Sequence, residues 1–155
     1  YIKLNTNESP YPPSPEVIAS IGECDVADLR LYSDPECRIL RQKLADRYGV
    51  GYDNVYLSNG SDDILNFAFM AYCADGKKVA FADITYGFYS VFADINSVPY
   101  KEIALRDDFS IDVDKICAQK GTLFIANPNA PTGLALSVEQ IEEIVKQKHF
   151  LIFYH

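Results

Sequence analysis

The sequence predicts a three-layer α/β sandwich with a mostly parallel central sheet. Two apolar runs, at residues 78–82 and 122–126, lack the alternation of apolar and polar residues that marks a strand with one wet face. This is typical of strands covered on both sides. Segments with apolar residues at helical spacing stand between the strand-like runs. Because alternating strands and helices build parallel sheets, we expect ligands to bind beyond the carboxyl ends of the strands.

Composition excludes several classes of protein. The 155 residues are 48% hydrophobic and 23% charged, a balance typical of a globular domain that buries its own core. The net charge of -8 argues against nucleic-acid and membrane partners, and no apolar run reaches the ~20 residues of a membrane-spanning helix. The four cysteines are widely spaced, without a C-x-x-C pair, which favours a reduced, cytoplasmic setting.

The first part of the chain is predicted to form an extended arm and a short helix. Residues 10–15 are rich in proline. Because proline fixes φ and donates no hydrogen bond, this composition favours an extended arm. Apolar residues at positions 17, 18 and 21 then indicate a short helix.

A second helix is predicted from Asp34 onward. Asp34 suits the N-cap and Pro35 suits the first helical position. Apolar residues at four-residue spacing continue to Tyr48, and Gly49 is expected to end the helix. Residues 54–57 are expected to form a short strand.

The remaining elements alternate between helix and strand. A turn at residues 59–61 leads into a helix with a broad apolar stripe at 64–73. Residues 137–140 match a capping box, in which the first and fourth side chains bond to each other's backbone N–H groups. Further strands are predicted at 78–82, 100–105, 122–126 and 149–154, and further helices at 86–93, 112–119 and after the capping box.

Three loops are candidates for ligand binding, at residues 58–63, 83–88 and 126–133. The first contains Gly60 and passes directly into a helix, whose free backbone N–H groups would form an anion cradle. The alternative is that Ser61 or Asp62 simply caps the helix, because carboxylates beside a phosphate are unfavourable. The glycine motifs of P-loop and dinucleotide-binding proteins are absent from the sequence.

The other two loops carry an aromatic residue and two amides. Tyr86 would lay its ring over a flat ligand, since offset stacking is favourable, or it would belong to the core with its hydroxyl satisfied. Asn127 and Asn129 are held by two prolines, at positions 128 and 131, which suits recognition of a fixed ring substituent. The alternative for this loop is a plain turn.

The three loops, in this order, resemble those of the pyridoxal-phosphate-dependent aminotransferases of fold type I, class II, and within that family those of the histidinol-phosphate aminotransferases. The resemblance covers essentially the whole chain. It implies an N-terminal arm and short helix at residues 1–30, and the N-terminal part of a cofactor-binding large domain at residues 31–155. The segments that carry it are residues 4–11, 31–35, 59–63, 85–89 and 127–133.

The resemblance implies roles for individual residues around pyridoxal phosphate. The backbone at Gly60, Ser61 and Asp62 would hold the cofactor phosphate, and Tyr86 would stack on the pyridine ring. Tyr32 would reach the cofactor phosphate of a neighbouring subunit, which makes the expected assembly a homodimer.

The same resemblance assigns the arm and the third loop. Asn7 and Tyr11 would help to close the arm over a small-molecule substrate. In the family pattern, the asparagine that bonds to the phenolic oxygen of the cofactor directly precedes Pro-Thr-Gly, where this sequence has Ala130. The contact is therefore assigned to Asn129.

No catalytic residue is assigned within the chain. The Schiff-base lysine of the family and the aspartate that pairs with its pyridinium nitrogen would follow the last strand, after His155. We therefore expect the chain to be a fragment that is inactive alone. Lys77, Lys78, Lys146 and Lys148 do not stand in a comparable context. No metal site is expected, because His149 and His155 have no third partner at metal spacing.

Three functions follow from these observations. The resemblance implies a transaminase that moves an amino group between L-histidinol phosphate and 2-oxoglutarate, as the complete protein. A non-catalytic α/β module that binds a phosphorylated small molecule or a partner is the second possibility. A related pyridoxal-phosphate enzyme, such as a threonine-phosphate decarboxylase, is the third.

Overall fold

The computed structural model describes residues 3, 8–23, 26–74, 76–147 and 152–154. The chain divides into two compact units, Tyr1–Val55 and Tyr56–His155. The predicted arm residues 4–7 and the first part of the predicted strand at 149–154 lie outside the described residues.

The described part of the first unit contains two α-helices and two 3-10 turns. Helix α1 spans Pro15–Gly22, and the Ser14 hydroxyl accepts a hydrogen bond from the Val17 N–H at 3.4 Å. This confirms the predicted short helix. A 3-10 turn follows at Val26–Arg30, and helix α2 spans Arg38–Tyr48.

The predicted start of α2 at Asp34 is wrong. Cys37 adopts a left-handed conformation with φ 49° and ψ 40°, which interrupts helical geometry, so that the helix begins at Arg38. The Asp34 carboxylate instead holds the preceding turn, accepting from the N–H groups of Glu36 at 3.1 Å and Arg38 at 3.0 Å. The predicted end is confirmed, because α2 stops at Tyr48 and Gly49 follows with φ 65°.

The predicted strand at 54–57 is also wrong. The chain forms a 3-10 turn at Tyr52–Asn54 instead. A strand needs a paired neighbour for its backbone groups, and the Val55 carbonyl accepts from the Arg41 guanidinium at 2.8 Å. The same guanidinium lies over the Tyr52 ring, 4.0 Å from its centroid, a favourable cation–π contact.

The second unit is built on a parallel sheet with strand order β2-β1-β3-β4. Val79 lies opposite Tyr100 on one side and Thr122 on the other. All three strand pairs are parallel, as predicted. The strands are β1 (Val79–Ala82), β2 (Tyr100–Ile103), β3 (Thr122–Ile125) and β4 (Ile152–Tyr154).

Among the described residues of the second unit, four helices accompany the sheet. The reciprocal capping box that precedes α6 is present: the Ser137 N–H donates to Gln140 Oε1 at 2.9 Å, and the Gln140 N–H donates to Ser137 Oγ at 3.3 Å. The helices are α3 (Ser61–Tyr72), α4 (Phe88–Ile95), α5 (Val113–Cys117) and α6 (Val138–Gln147).

The sheet is covered on both faces, which confirms the three layers. Neighbouring residues of β3 point to opposite sides: Phe124 joins a buried cluster with residues of α3 and α4, and Leu123 joins a second cluster with residues of α5 and α6. In the first cluster, the rings of Phe69 and Phe124 stack at 4.3 Å between centroids. Because β1 and β3 are parallel, the loops after them emerge at the same edge of the sheet.

Candidate functional site

Helix α3 begins with backbone donors that no described side chain caps. Gly60 occupies the N-cap position with φ 91° and ψ 171°, and the cap makes no side-chain hydrogen bond. The first N–H groups of a helix have no acceptor within the helix, and the helix dipole places partial positive charge there. The alternative in which Ser61 or Asp62 caps the helix is therefore wrong, and the donors remain available for an anion.

Both carboxylates of the first turn accept hydroxyl hydrogen bonds. Asp62 Oδ1 accepts from the Tyr86 hydroxyl at 2.5 Å, and Asp63 Oδ2 accepts from the Ser58 hydroxyl at 3.3 Å. Each carboxylate thus has a local donor that stabilises its charge. The acidic first turn is therefore compatible with an anion bound by the backbone groups.

Tyr86 has a fixed ring beside this helix start. Its side chain is partly buried and packs against the cluster that α3 and α4 form. The ring lies 6.0 Å from that of Phe88 in a stacked arrangement and 5.7 Å from that of Tyr89 in an edge contact. The alternative of a ring that packs on the core with its hydroxyl satisfied is confirmed, and stacking on a flat ligand stays a prediction.

The Tyr86 phenol is hard to ionise. The hydrogen bond to Asp62, together with burial and the charge of that carboxylate, raises the pKa of Tyr86 from 10.0 to about 12. Burial raises the pKa of the neighbouring Tyr89 as well. Since the pKa of Tyr86 is raised in the folded state, its contribution to stability is complete below pH 10.0 and is lost as the pH rises through about 12.

Substitution of Asp62 by alanine is expected to lower the pKa of Tyr86 from about 12 toward 10.0, because the main cause of the shift is the hydrogen bond between the two side chains. The measurement is an NMR titration of tyrosine labelled at Cζ, in which the Tyr86 resonance is identified by its absence from the Tyr86→Phe variant. An unchanged titration midpoint in Asp62→Ala would contradict the assigned contact.

Asn129 lies at the same sheet edge and is almost fully buried, with 1% of its surface exposed. Its Oδ1 accepts from the Thr85 hydroxyl at 2.6 Å, and its Nδ2 donates to the Ile84 carbonyl at 2.8 Å and to the Thr132 hydroxyl at 3.3 Å. The amide therefore joins the loop after β3 to the loop that carries Tyr86. Residues 84 and 85 lie in the second predicted loop, but sequence reasoning missed their contacts with Asn129.

The loop of residues 126–133 also contains turn bonds of its own. The Asn129 N–H donates to the Leu134 carbonyl at 2.8 Å, and the Gly133 N–H donates to the Asn129 carbonyl at 2.7 Å. Asn127 Oδ1 accepts from the Leu136 N–H at 2.7 Å. The peptide bonds that precede Pro128 and Pro131 are cis. The two predicted amides thus organise the loop through contacts within the protein.

Asp83 is a further residue that sequence reasoning missed. It directly follows β1, and its Oδ1 accepts from the N–H groups of Ile84 at 2.9 Å and Leu105 at 3.0 Å. The carboxylate thereby links the chain leaving β1 to the chain leaving β2.

The other predicted site residues belong to the first unit. Tyr32 and Tyr11 are exposed, and Asn7 lies outside the described residues. Within the described ranges there is no group of three or more metal-ligating side chains. None of the helices in the described part of the chain is long and apolar enough to cross a membrane.

Comparison with known proteins identifies the family. The family described as Aminotransferase class I and II matches residues 1–154. The histidinol-phosphate aminotransferase of Brachyspira hyodysenteriae is 48% identical over 145 residues, and the histidinol-phosphate aminotransferase 2 of Gluconobacter oxydans is 49% identical over 146 residues. Each match covers 94% of this chain and 41% of the relative.

A solved structure shows the same fold. The crystal structure of histidinol-phosphate aminotransferase from Sinorhizobium meliloti in complex with pyridoxal-5'-phosphate matches with a TM-score of 0.86 and 22% identity. The match covers 96% of this chain and 42% of that chain. The chain thus spans about two fifths of the length of the proteins that it matches. It belongs to the aminotransferase class I and II family.

Proposed function

We propose that the chain forms part of the pyridoxal-phosphate site of a transaminase that, as the complete protein, moves an amino group between L-histidinol phosphate and 2-oxoglutarate. The names of the relatives at 48% and 49% identity support histidinol phosphate as one of the two substrates. The structural observation that carries the proposal is the contact between Tyr86 and Asp62. Through this hydrogen bond, the Tyr86 ring is held beside the first turn of α3, whose N-terminus has no side-chain cap.

The residues present suit the two ends of this cofactor. A phosphate needs several N–H donors without a competing carboxylate cap, and the start of α3 provides them. Gly60 has φ 91°, a conformation that strains any residue with a side chain. A pyridine ring needs a fixed aromatic face, and Tyr86 is held at its hydroxyl and against its neighbours.

Each residue of the site then has a defined task. The backbone at Gly60, Ser61 and Asp62 binds the phosphate, and Tyr86 orients the ring by stacking. The Asp62 carboxylate accepts the hydrogen bond from the Tyr86 hydroxyl and thereby holds the ring in place. When bound, pyridoxal phosphate serves as the electron sink for bonds at the amino-bearing carbon of the substrate.

The proposal includes a second subunit and a substrate arm. Tyr32 contacts the cofactor phosphate of the neighbouring subunit in a cytoplasmic homodimer, and its full exposure in this chain is compatible with that task. Asn7 and Tyr11 contribute to the arm that closes over the substrate.

The resemblance assigns the contact with the cofactor's phenolic oxygen to Asn129. Both hydrogens of its amide are donated within the protein, to the Ile84 carbonyl and the Thr132 hydroxyl. A direct contact would therefore require Asn129 to give up one of these bonds.

Borohydride reduction of the complete polypeptide with pyridoxal phosphate is expected to give one stoichiometric lysine adduct, located after residue 155. The chain of residues 1–155 alone is expected to give none. Peptide mass mapping locates the adduct. The coding sequence provides an independent check, since a Ser-Lys motif is expected within roughly a hundred residues after His155.

Three outcomes would contradict this assignment. A stoichiometric adduct on a lysine of residues 1–155 would show that the Schiff-base residue is misplaced. The absence of any adduct from the complete polypeptide would favour the non-catalytic module. Release of carbon dioxide from a phosphorylated amino acid, without amino transfer to 2-oxoglutarate, would favour the decarboxylase.

A further inference from the structure

We infer that Asn129 is a positioning residue that orients the Tyr86 ring through Thr85 and Ile84. This inference rests on the proposed function, because the ring matters only if a cofactor stacks on it. In this role, Asn129 fixes the position of the stacking ring, and its side chain does not need to touch the cofactor.

The bonding of Asn129 supports a task within the protein. The side chain is buried to 1% exposure, and its amide makes three hydrogen bonds. Both N–H hydrogens and one oxygen lone pair are used by these bonds. A buried amide that loses such partners is left unsatisfied, which is costly, so the structure favours the present arrangement over a rotated side chain.

The contacts converge on the residues that precede Tyr86. Asn129 Nδ2 holds the Ile84 carbonyl at 2.8 Å, and Asn129 Oδ1 holds the Thr85 hydroxyl at 2.6 Å. At its other end, the Tyr86 hydroxyl donates to Asp62. The segment of residues 84–86 is therefore held at both ends, by Asn129 at Ile84 and Thr85 and by Asp62 of helix α3 at the Tyr86 hydroxyl.

The local turn is closed by backbone hydrogen bonds. The turn closes through the backbone of Asn129, which bonds to Leu134 and Gly133. Two of the three side-chain hydrogen bonds reach residues 44 and 45 positions earlier in the sequence, and the third stays within the loop, at the Thr132 hydroxyl. Its specific contribution is thus the link between the two loops.

The test is a double-mutant cycle in the complete polypeptide. The variants of the cycle are Asn129→Ala, Tyr86→Ala and the double variant. Thr85→Val and Thr85→Ser form a matched pair at a partly buried position, in which valine removes the hydroxyl and serine keeps it. The measurements are the dissociation constant for pyridoxal phosphate, the visible circular dichroism of the bound cofactor, and the thermal unfolding temperature. The dichroism reports ring orientation, which a merely structural role would leave unchanged.

Asn129→Ala is expected to weaken pyridoxal-phosphate binding by about tenfold and to change the visible dichroism, since hydrogen bonds that hold the ring are lost. Thr85→Val is expected to act in the same direction, and Thr85→Ser is expected to restore the wild-type values. In the Tyr86→Ala background, Asn129→Ala is expected to change the affinity by less than about twofold, because coupled residues are non-additive. Should Asn129→Ala fail to fold, the Thr85 pair carries the same test in both backgrounds.

Two results would overturn the inference while leaving the proposed function intact. One is an equal loss of affinity from Asn129→Ala with and without the Tyr86 ring, which would indicate direct contact with the cofactor. The other is wild-type affinity and dichroism in both Asn129→Ala and Thr85→Val. If Tyr86→Ala itself leaves the affinity unchanged, or if the wild type does not bind pyridoxal phosphate, the proposed site is wrong and the inference falls with it.

Discussion

Replacing Ser61 by proline is expected to weaken pyridoxal-phosphate binding by about 10- to 100-fold, while helix α3 stays folded. Ser61 is the first residue of α3 after the Gly60 N-cap. Proline at this position keeps helical geometry and removes one backbone N–H, which has no acceptor within the helix. The substitution therefore deletes a single donor of the proposed phosphate cradle.

The matched control for this prediction is Ser61→Ala, which removes the hydroxyl and keeps the N–H. If the backbone binds the phosphate, the alanine variant is expected to bind nearly as well as the wild type. Equilibrium dialysis of the complete polypeptide measures both affinities, and far-ultraviolet circular dichroism checks the helix. Equal weakening by proline and alanine would instead assign phosphate binding to the serine side chain.

Replacing Gly121 by alanine is expected to lower the free energy of unfolding by roughly 3–5 kcal/mol, from backbone strain and steric overlap together. Gly121 has φ 106°, and a Cβ at this position would lie 2.1 Å from the Lys78 carbonyl oxygen. That carbonyl accepts from the Thr122 N–H at 3.0 Å, just before the paired segments of β1 and β3. Any shift that relieves the overlap therefore disturbs the centre of the sheet.

Gly76→Ala separates the two causes of this loss. Gly76 also has a positive φ, 74°, but a Cβ there would meet no atom within 4 Å. This control is expected to cost only about 1–2 kcal/mol, the strain of a left-handed residue. Urea denaturation of the complete polypeptide measures both variants. Equal losses would show that contact with the Lys78 carbonyl contributes nothing.

Much of the fold could be predicted from local patterns. The uninterrupted apolar runs at β1 and β3 indicated strands covered on both sides, and both faces are indeed buried. The capping box before α6 was predicted from four residues, because its two hydrogen bonds are local. The predictions are wrong where a local signal competes with backbone geometry that the sequence does not show. At the start of α2, the capping signal of Asp34 competes with the left-handed backbone of Cys37, and the helix begins at Arg38.

The candidate site was predicted as three loops but not as a set of contacts. Residue type and position after a strand or before a helix indicate Tyr86, Asp62 and Asn129 as site residues. The structure adds that Tyr86 donates to Asp62 and that Asn129 bonds to Thr85. The second contact spans 44 positions, and no periodicity or spacing encodes a hydrogen bond at that separation.

The sequence by itself determined the alternation of helices and strands from α3 onward, the loops proposed to carry the chemistry and the resemblance to the aminotransferases. These depend on hydrophobic period, helix-start residues and short motifs, which are properties of neighbouring residues. Only the tertiary structure decided how the donors and acceptors are used: the start of α3 is left uncapped, and the amide of Asn129 is committed to a neighbouring loop. The physical reason is that a buried polar group must find its partner in space, and the parallel sheet brings distant loops together at one edge.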